Sequence, residues 1–143
     1  MSNRRILARA AAVVALSSVV TVGTMGIASA QDSKDGPSVW NSGIYAKAAA
    51  KFFADTSPNG TGDTIRISDY DPDGYSAVAK YNWAGASYGT VWNSKGAGTD
   101  VYAVLGGGAG VTEGVTINYT ACIGKTSSPT NLTLCGDYVS GVS

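Results

Sequence analysis

Short segments in which apolar and polar residues alternate recur along this chain, and turn-forming residues separate them about every eight to twelve positions. Alternation with a period of two is typical of strands that bury one face, because successive side chains of a strand point to opposite sides. Seventeen of the 19 glycines follow residue 30, many of them between these segments. The clearest alternating runs are 64–69, 75–84, 87–93, 100–105, 112–125 and 131–139.

A further segment, 45–54, has two interpretations. It contains several strong helix formers, but it also places alanines and one phenylalanine on one face of a strand, which favours a strand. With this segment included, the chain is predicted to be all-β, as a single antiparallel β-sandwich of about seven strands over residues 44–143. Residues 31–43, which are polar, are predicted to form a flexible N-terminal arm.

Residues 1–30 are predicted to be a signal peptide. Arg4, Arg5 and Arg9 precede an uncharged stretch rich in alanine and valine, and Ala28-Ser29-Ala30 offers small residues for cleavage after Ala30. The alternative is a retained membrane anchor, but serines, threonines and glycines dilute the apolar stretch. We therefore expect a secreted, extracellular protein with no membrane association after cleavage.

Composition and charge exclude several classes of function. All ten acidic residues follow residue 30 and three of the ten basic residues precede it, so the secreted chain carries a net charge of about −3. No basic run remains to neutralise nucleic-acid phosphates or anionic lipids. Without histidine, Ser-His-Asp and Cys-His catalysis are impossible, and two cysteines cannot close a zinc site. We expect a protein that is not an enzyme and needs no cofactor.

Cys122 and Cys135 are predicted to form one disulfide. They fall on two successive predicted strands at equal distances from the turn between them, so they would face each other directly. An even number of cysteines in a secreted chain is typically oxidised. In this register the cysteines would lie on the opposite face from Tyr119, Leu134 and Tyr138.

The aspartate-rich segment Asp69–Gly74 has two interpretations. Asp69, Asp71 and Asp73 stand at alternate positions before a glycine, as in the first half of a calcium-binding loop. However, Lys80 stands where that loop needs its bidentate glutamate, and strands flank the segment where helices would be required. The proline and glycine suit a type I turn, so we predict a structural turn, with a metal site at the three aspartates as the alternative.

Three tryptophans are candidates for binding. Val39 and Trp40 lie in the polar N-terminal segment, where they could anchor the arm in a partner's groove. Alternatively, the arm folds back and Trp40 covers an open edge of its own sheet. Trp83 and Trp92 lie within alternating runs, so each belongs either to the core or to a sheet face that binds a sugar or a protein.

The segments Gly62–Trp83 and Thr116–Gly141, together with the alanine-rich signal, resemble small secreted single-disulfide β-sandwich proteins of Streptomyces and related actinomycetes. Within that group, the size, polar N-terminal segment and lack of catalytic residues are similar to the adaptor subunit of umbrella toxin particles. The resemblance implies a non-enzymatic connector that joins a lectin component with a trypsin-like fold to the stalk-and-spoke toxin subunit. Its N-terminal extension would act as an insertion strand, with Val39 and Trp40 as the anchor.

Three classes of function remain open at this point. The first is an interaction module or adaptor in an extracellular toxin complex, which binds another secreted protein through the arm or an open sheet edge. The second is a small inhibitor or antimicrobial protein of Greek-key type, for which Trp83-Ala84-Gly85 offers an aromatic-x-Gly corner. The third is a carbohydrate- or calcium-dependent binding domain that uses Trp83, Trp92 or the aspartate turn.

Overall fold

The computed structural model describes residues 33–83 and 87–143, and the predicted signal peptide, residues 1–30, lies outside them. Nine strands form two antiparallel sheets in this part of the chain, which confirms the predicted all-β sandwich. The strands are β1 (Val39–Trp40), β2 (Ala48–Phe53), β3 (Thr64–Asp69), β4 (Ser76–Trp83), β5 (Ser87–Asn93), β6 (Thr99–Val104), β7 (Thr116–Gly124), β8 (Leu132–Thr133) and β9 (Val139–Val142).

One sheet contains four strands and the other contains five. The first sheet has the strand order β1-β2-β3-β6, and the second runs β5-β4-β7, with β8 and β9 both pairing along the far side of β7. β8 pairs with the end of β7, and β9 pairs with its beginning. Every pairing is antiparallel, both between consecutive strands and between the non-consecutive pairs β3–β6, β4–β7 and β7–β9.

The core fills the space between the sheets with the inward-facing residues of each strand. Small alanines on β2, β4 and β7 share this core with larger side chains, of which Tyr119 and Phe52 are the largest. The buried core consists of Val39, Ala48, Ala50, Phe52, Ala54, Ile65, Ile67, Ala77, Ala79, Val91, Leu105, Ile117, Tyr119, Ala121 and Ile123. The alternation along β2 therefore forms a strand, as favoured, and not a helix.

The last predicted run, 131–139, divides into two strands. Leu134 adopts a left-handed conformation (φ 49°), which ends β8 after two residues. The disulfide between Cys122 and Cys135 is confirmed. The register, however, is one residue from the predicted one, because Ile123 pairs with Thr133, and Cys135 reaches Cys122 from the bend after β8.

The predicted faces of Leu134 and Tyr138 are wrong because of this bend. Leu134 and Tyr138 are about half exposed and do not share the buried face of Tyr119. The backbone leaves the ladder at Leu134, so alternation of side chains no longer decides which face each residue occupies.

The described part of the predicted arm, residues 33–43, packs against the sandwich. Lys34 and Val142 exchange two backbone hydrogen bonds, of 2.7 and 2.9 Å, and the Tyr119 hydroxyl donates to the carbonyl of Pro37. Val39 is only 7% exposed and pairs with Ala50. An unpaired strand edge offers free N–H and C=O groups, and the arm satisfies those of β2. Val39 is therefore part of the core and cannot anchor a partner.

The described residues contain no helix with the length and apolarity needed to cross a membrane.

Candidate functional site

Large apolar side chains are exposed around the loop that joins β1 to β2. Ile44 and Tyr45, at the tip of this loop, are 94% and 75% exposed. Side chains of this size bury well, so their exposure side by side indicates a contact surface. We call this surface the hairpin-loop patch, and it consists of Trp40, Ile44, Tyr45, Tyr70 and Leu134.

The base of the loop is fixed by one buried amide, that of Asn41. Its Oδ1 accepts hydrogen bonds from the backbone N–H groups of Lys47 (2.8 Å) and Ala48 (2.9 Å), and its Nδ2 donates to the carbonyl of Ser42 (3.0 Å). Asn41 is only 5% exposed, so these bonds are shielded from water. The loop is therefore held at both ends, while its tip projects into solvent.

Two neighbouring segments complete the hairpin-loop patch. The rings of Trp40 and Tyr70 lie 5.1 Å apart between centroids, and the Tyr70 N–H donates to the carbonyl of Lys47 at 2.8 Å. On the other side, the Ser42 N–H donates to the carbonyl of Leu134 at 2.9 Å. β3, the β1–β2 hairpin and the bend after β8 thus meet at one end of the sandwich. Trp40 covers the edge of its own sheet and is half exposed as part of this surface.

Lys47 takes the position that a cation would occupy beside the aspartate turn. Its Nζ lies 2.8 Å from Asp71 Oδ2 and 2.7 Å from Asp73 Oδ2. These hydrogen bonds raise the pKa of Lys47 above its usual range. Partial burial is the largest single influence on Asp73 and would raise its pKa, but the hydrogen bonds from Lys47 and from the backbone, together with the charge of Lys47, outweigh it and lower that pKa.

Asp69 has a different role from the other two aspartates. Its Oδ1 accepts from the N–H of Asp71 at 3.1 Å, which closes the turn, and burial raises its pKa. Within residues 33–83 and 87–143, no three histidine, cysteine, aspartate or glutamate side chains converge in an arrangement that could hold a metal ion. The geometry therefore favours the structural turn, with an ammonium group as its cation.

We predict that Lys47→Met lowers the melting temperature by only a few degrees, because partly exposed ion pairs contribute little. Calcium at millimolar concentration should restore part of this loss, since Asp71 and Asp73 then lack a cation, whereas the wild-type melting temperature should not respond. Differential scanning fluorimetry with and without calcium measures both effects. A calcium-induced rise in the wild type would contradict the structural turn.

The remaining tryptophans lie on opposite faces of the second sheet. Trp83 packs against the core and stacks on Tyr81, with ring centroids 5.8 Å apart. Trp92 lies on the outer face, where its ring crosses Gly124 and its Nε1–H donates to Thr90 Oγ1 at 3.2 Å. Both are partly buried. Ala84 and Gly85, which the Greek-key corner requires, lie outside the described residues.

Sequence reasoning identified Trp40 but missed Asn41, Ile44 and Tyr45. The predicted strand began at Tyr45, which placed this pair at the edge of a regular element, whereas β2 begins at Ala48. An apolar Ile-Tyr pair directly after Ser42-Gly43 was the available signal, because turn residues there predict a hairpin loop.

The function of this chain must be inferred from its own geometry, because no protein-family model, no curated protein and no solved structure matches it.

Proposed function

We propose that this protein is a secreted, non-enzymatic interaction module that binds another secreted protein through the hairpin-loop patch. Its role would be that of an adaptor within an extracellular complex, as the resemblance to the toxin-particle adaptor implies. The observation that carries the proposal is the exposure of Ile44 and Tyr45 on a loop fixed at its base by Asn41.

The loop has the properties of a binding anchor. Apolar and aromatic side chains supply most of the free energy of typical protein interfaces when they enter a pocket of the partner. Association usually costs free energy because loops must be ordered, and the hydrogen bonds of Asn41 reduce that cost in advance. Ile44 and Tyr45 are thus ready to insert without rearrangement of the loop.

The surroundings of the loop indicate the kind of partner. Trp40, Tyr70 and Leu134 extend the apolar area beside the tip. Asp71 and Asp73 with Lys47 leave a net negative charge at the rim. The complementary surface is an apolar pocket with basic residues at its border, since opposite charges at a rim favour encounter.

Two features support an extracellular location. The predicted signal peptide would direct the chain out of the cell. The disulfide between Cys122 and Cys135 suits an oxidising compartment, because cytosolic thiols are kept reduced.

The proposal is tested by affinity capture from culture supernatant of the producing organism, with the wild-type secreted chain and with Ile44→Ser/Tyr45→Ser as baits. We expect the variant to lose its partner, with an affinity at least a hundredfold lower, because two central anchors each contribute about 2 kcal/mol or more. Tyr88→Ala, which removes an equally exposed tyrosine elsewhere, is the matched control and should retain the partner.

Melting temperatures of all three proteins should agree within about 2 °C, since surface substitutions away from special features change stability little. Capture of the same partner by the wild type and by Ile44→Ser/Tyr45→Ser with equal affinity would show that the hairpin-loop patch is not the interface.

A further inference from the structure

The outer face of the second sheet contains a shallow depression of about 180 Å³ that is separate from the hairpin-loop patch. Tyr88 and Tyr138 border it and are 82% and 51% exposed. Lys80 and Thr90, which are direct partners on β4 and β5, also line it. We call this depression the tyrosine groove.

A ladder of uncharged polar side chains lies beside the tyrosine groove. The register places Asn82 opposite Tyr88 on β5 and opposite Asn118 on β7, and Asn118 opposite Ser140 on β9. The Ser140 hydroxyl donates to Asn118 Oδ1 at 3.1 Å, and Asn118 Nδ2 donates to Asn82 Oδ1 at 3.2 Å. These bonds fix the amides, and no described residue accepts a hydrogen bond from the amide nitrogen of Asn82, so its hydrogens face a ligand.

The row spans four strands, which at about 4.8 Å between neighbours corresponds to roughly 14 Å. This distance suits an extended chain of several linked rings better than a single small molecule. The groove is open to solvent and not enclosed.

Lys80 gives the groove a positive charge. No carboxylate of the described residues lies within salt-bridge distance of its Nζ, in contrast to Lys47 and Lys51. Thr90, beside it, accepts a hydrogen bond from Trp92 and keeps its own hydroxyl hydrogen as a donor. A ligand carboxylate would therefore meet an ammonium group and hydroxyl and amide donors, which form strong charge-assisted hydrogen bonds.

We infer that the tyrosine groove binds an acidic oligosaccharide, a chain of sugar rings that carry carboxylates. Sugar rings present C–H faces that pack against exposed aromatic rings, and their hydroxyl groups bond to amides and hydroxyls. A protein interface needs more apolar area than two tyrosines provide, and binding of nucleic acid needs more than one cation. The ligand class follows from the combination of Tyr88, Tyr138, the amide ladder and Lys80.

The inference is tested by isothermal titration calorimetry of the secreted chain with tetragalacturonate, tetraglucuronate and sialyllactose, and with uncharged galactotetraose for comparison. At least one acidic sugar should bind, at least tenfold more tightly than galactotetraose. Tyr88→Ala and Tyr138→Ala should each weaken this binding at least tenfold, and Lys80→Gln should abolish the preference for the acidic sugar.

Tyr45→Ala is the matched control and should bind the sugar as the wild type does, so the inference can fail or succeed independently of the proposed protein partner. Tyr88 and Tyr138 are exposed and Lys80 is partly exposed. Melting temperatures equal to that of the wild type would verify that each variant is folded. The inference is overturned if no acidic sugar binds at millimolar concentration, or if poly-L-glutamate binds equally well. Dimerisation of the free chain that Tyr88→Ala abolishes would also overturn it, because the groove would then bind a second copy.

Discussion

Replacement of Tyr119 by alanine should lower the free energy of unfolding by about 3–5 kcal/mol, as for other buried aromatic residues. Tyr119 is fully buried between the sheets, and its ring centroid lies 6.4 Å from that of Phe52. Its hydroxyl donates to the carbonyl of Pro37, so this one side chain joins the core to the N-terminal segment. Its loss would leave a cavity and an unpaired carbonyl.

Chemical denaturation monitored by tryptophan fluorescence measures this effect. Tyr88→Ala is the matched control, because it removes the same side chain from an exposed position and should change the stability little. A loss below about 1 kcal/mol for Tyr119→Ala would mean that the sheets do not pack around this residue.

The hydroxyl of Tyr119 can be tested separately with Tyr119→Phe. Burial raises the pKa of Tyr119 to about 12, from an ordinary value near 10. The folded protein therefore favours the protonated form, and its stability falls as the pH rises from about 10 towards 12. Tyr119→Phe lacks this group. The difference in free energy of unfolding between the wild type and Tyr119→Phe should therefore shrink as the pH rises over that range. An advantage that stays constant would contradict the burial of the hydroxyl.

Removal of the disulfide, in Cys122→Ala/Cys135→Ala, should lower the stability by about 3 kcal/mol and the melting temperature by about 15 °C. The cysteines are 13 positions apart, and the bond closes a loop that is otherwise held by the two-residue strand β8. Cys122 itself is fully buried, so the alanine also removes packing. Calorimetry of the oxidised wild type and the variant measures the difference.

Partner binding should survive this substitution at temperatures below the lowered melting point. Ile44 and Tyr45 are held by the hydrogen bonds of Asn41 to Ser42, Lys47 and Ala48, none of which involves a cysteine. Leu134 lies beside Cys135 and contributes only to the border of the hairpin-loop patch. Loss of partner binding by folded Cys122→Ala/Cys135→Ala would show that the bend after β8, and not the hairpin loop, is the main contact.

Alternation and turn chemistry were sufficient to predict the bounds of several strands, although β7 begins at Thr116 and not at residue 112. β3, β5 and β6 begin and end within one residue of their predicted bounds, because each alternating run ends at residues that favour turns. β1 could not be predicted in this way. It has only two residues, and it exists because β2 offers an open edge, which is a property of the folded sheet.

The faces of side chains were harder to predict than the strands that carry them. A shift of one residue in register exchanges the two faces of a strand, and β8 pairs with β7 one residue away from the predicted register. In the β4–β5 hairpin, Trp83 lies on the core side, whereas Trp92 pairs with Val78 on the outer side. The position of the turn decides this assignment, and alternation alone leaves it open.

The hairpin-loop patch depended on contacts between distant segments. Trp40, Tyr70 and Leu134 are far apart in sequence and meet only because β1, β3 and the bend after β8 end together. Asn41 has no sequence signature of its own, since its role depends on the return of the chain at Lys47 and Ala48.

The most direct test of the proposed function is photo-crosslinking from the loop itself. A benzophenone amino acid at position 45, in the otherwise unchanged secreted chain, is irradiated in culture supernatant of the producing organism, with the same group at position 88 as the control. A single secreted protein crosslinked from position 45 and not from position 88 is the result that we expect. Crosslinks to that protein from position 88 alone, or no protein crosslinked from position 45, would contradict the assignment of the hairpin-loop patch as the interface.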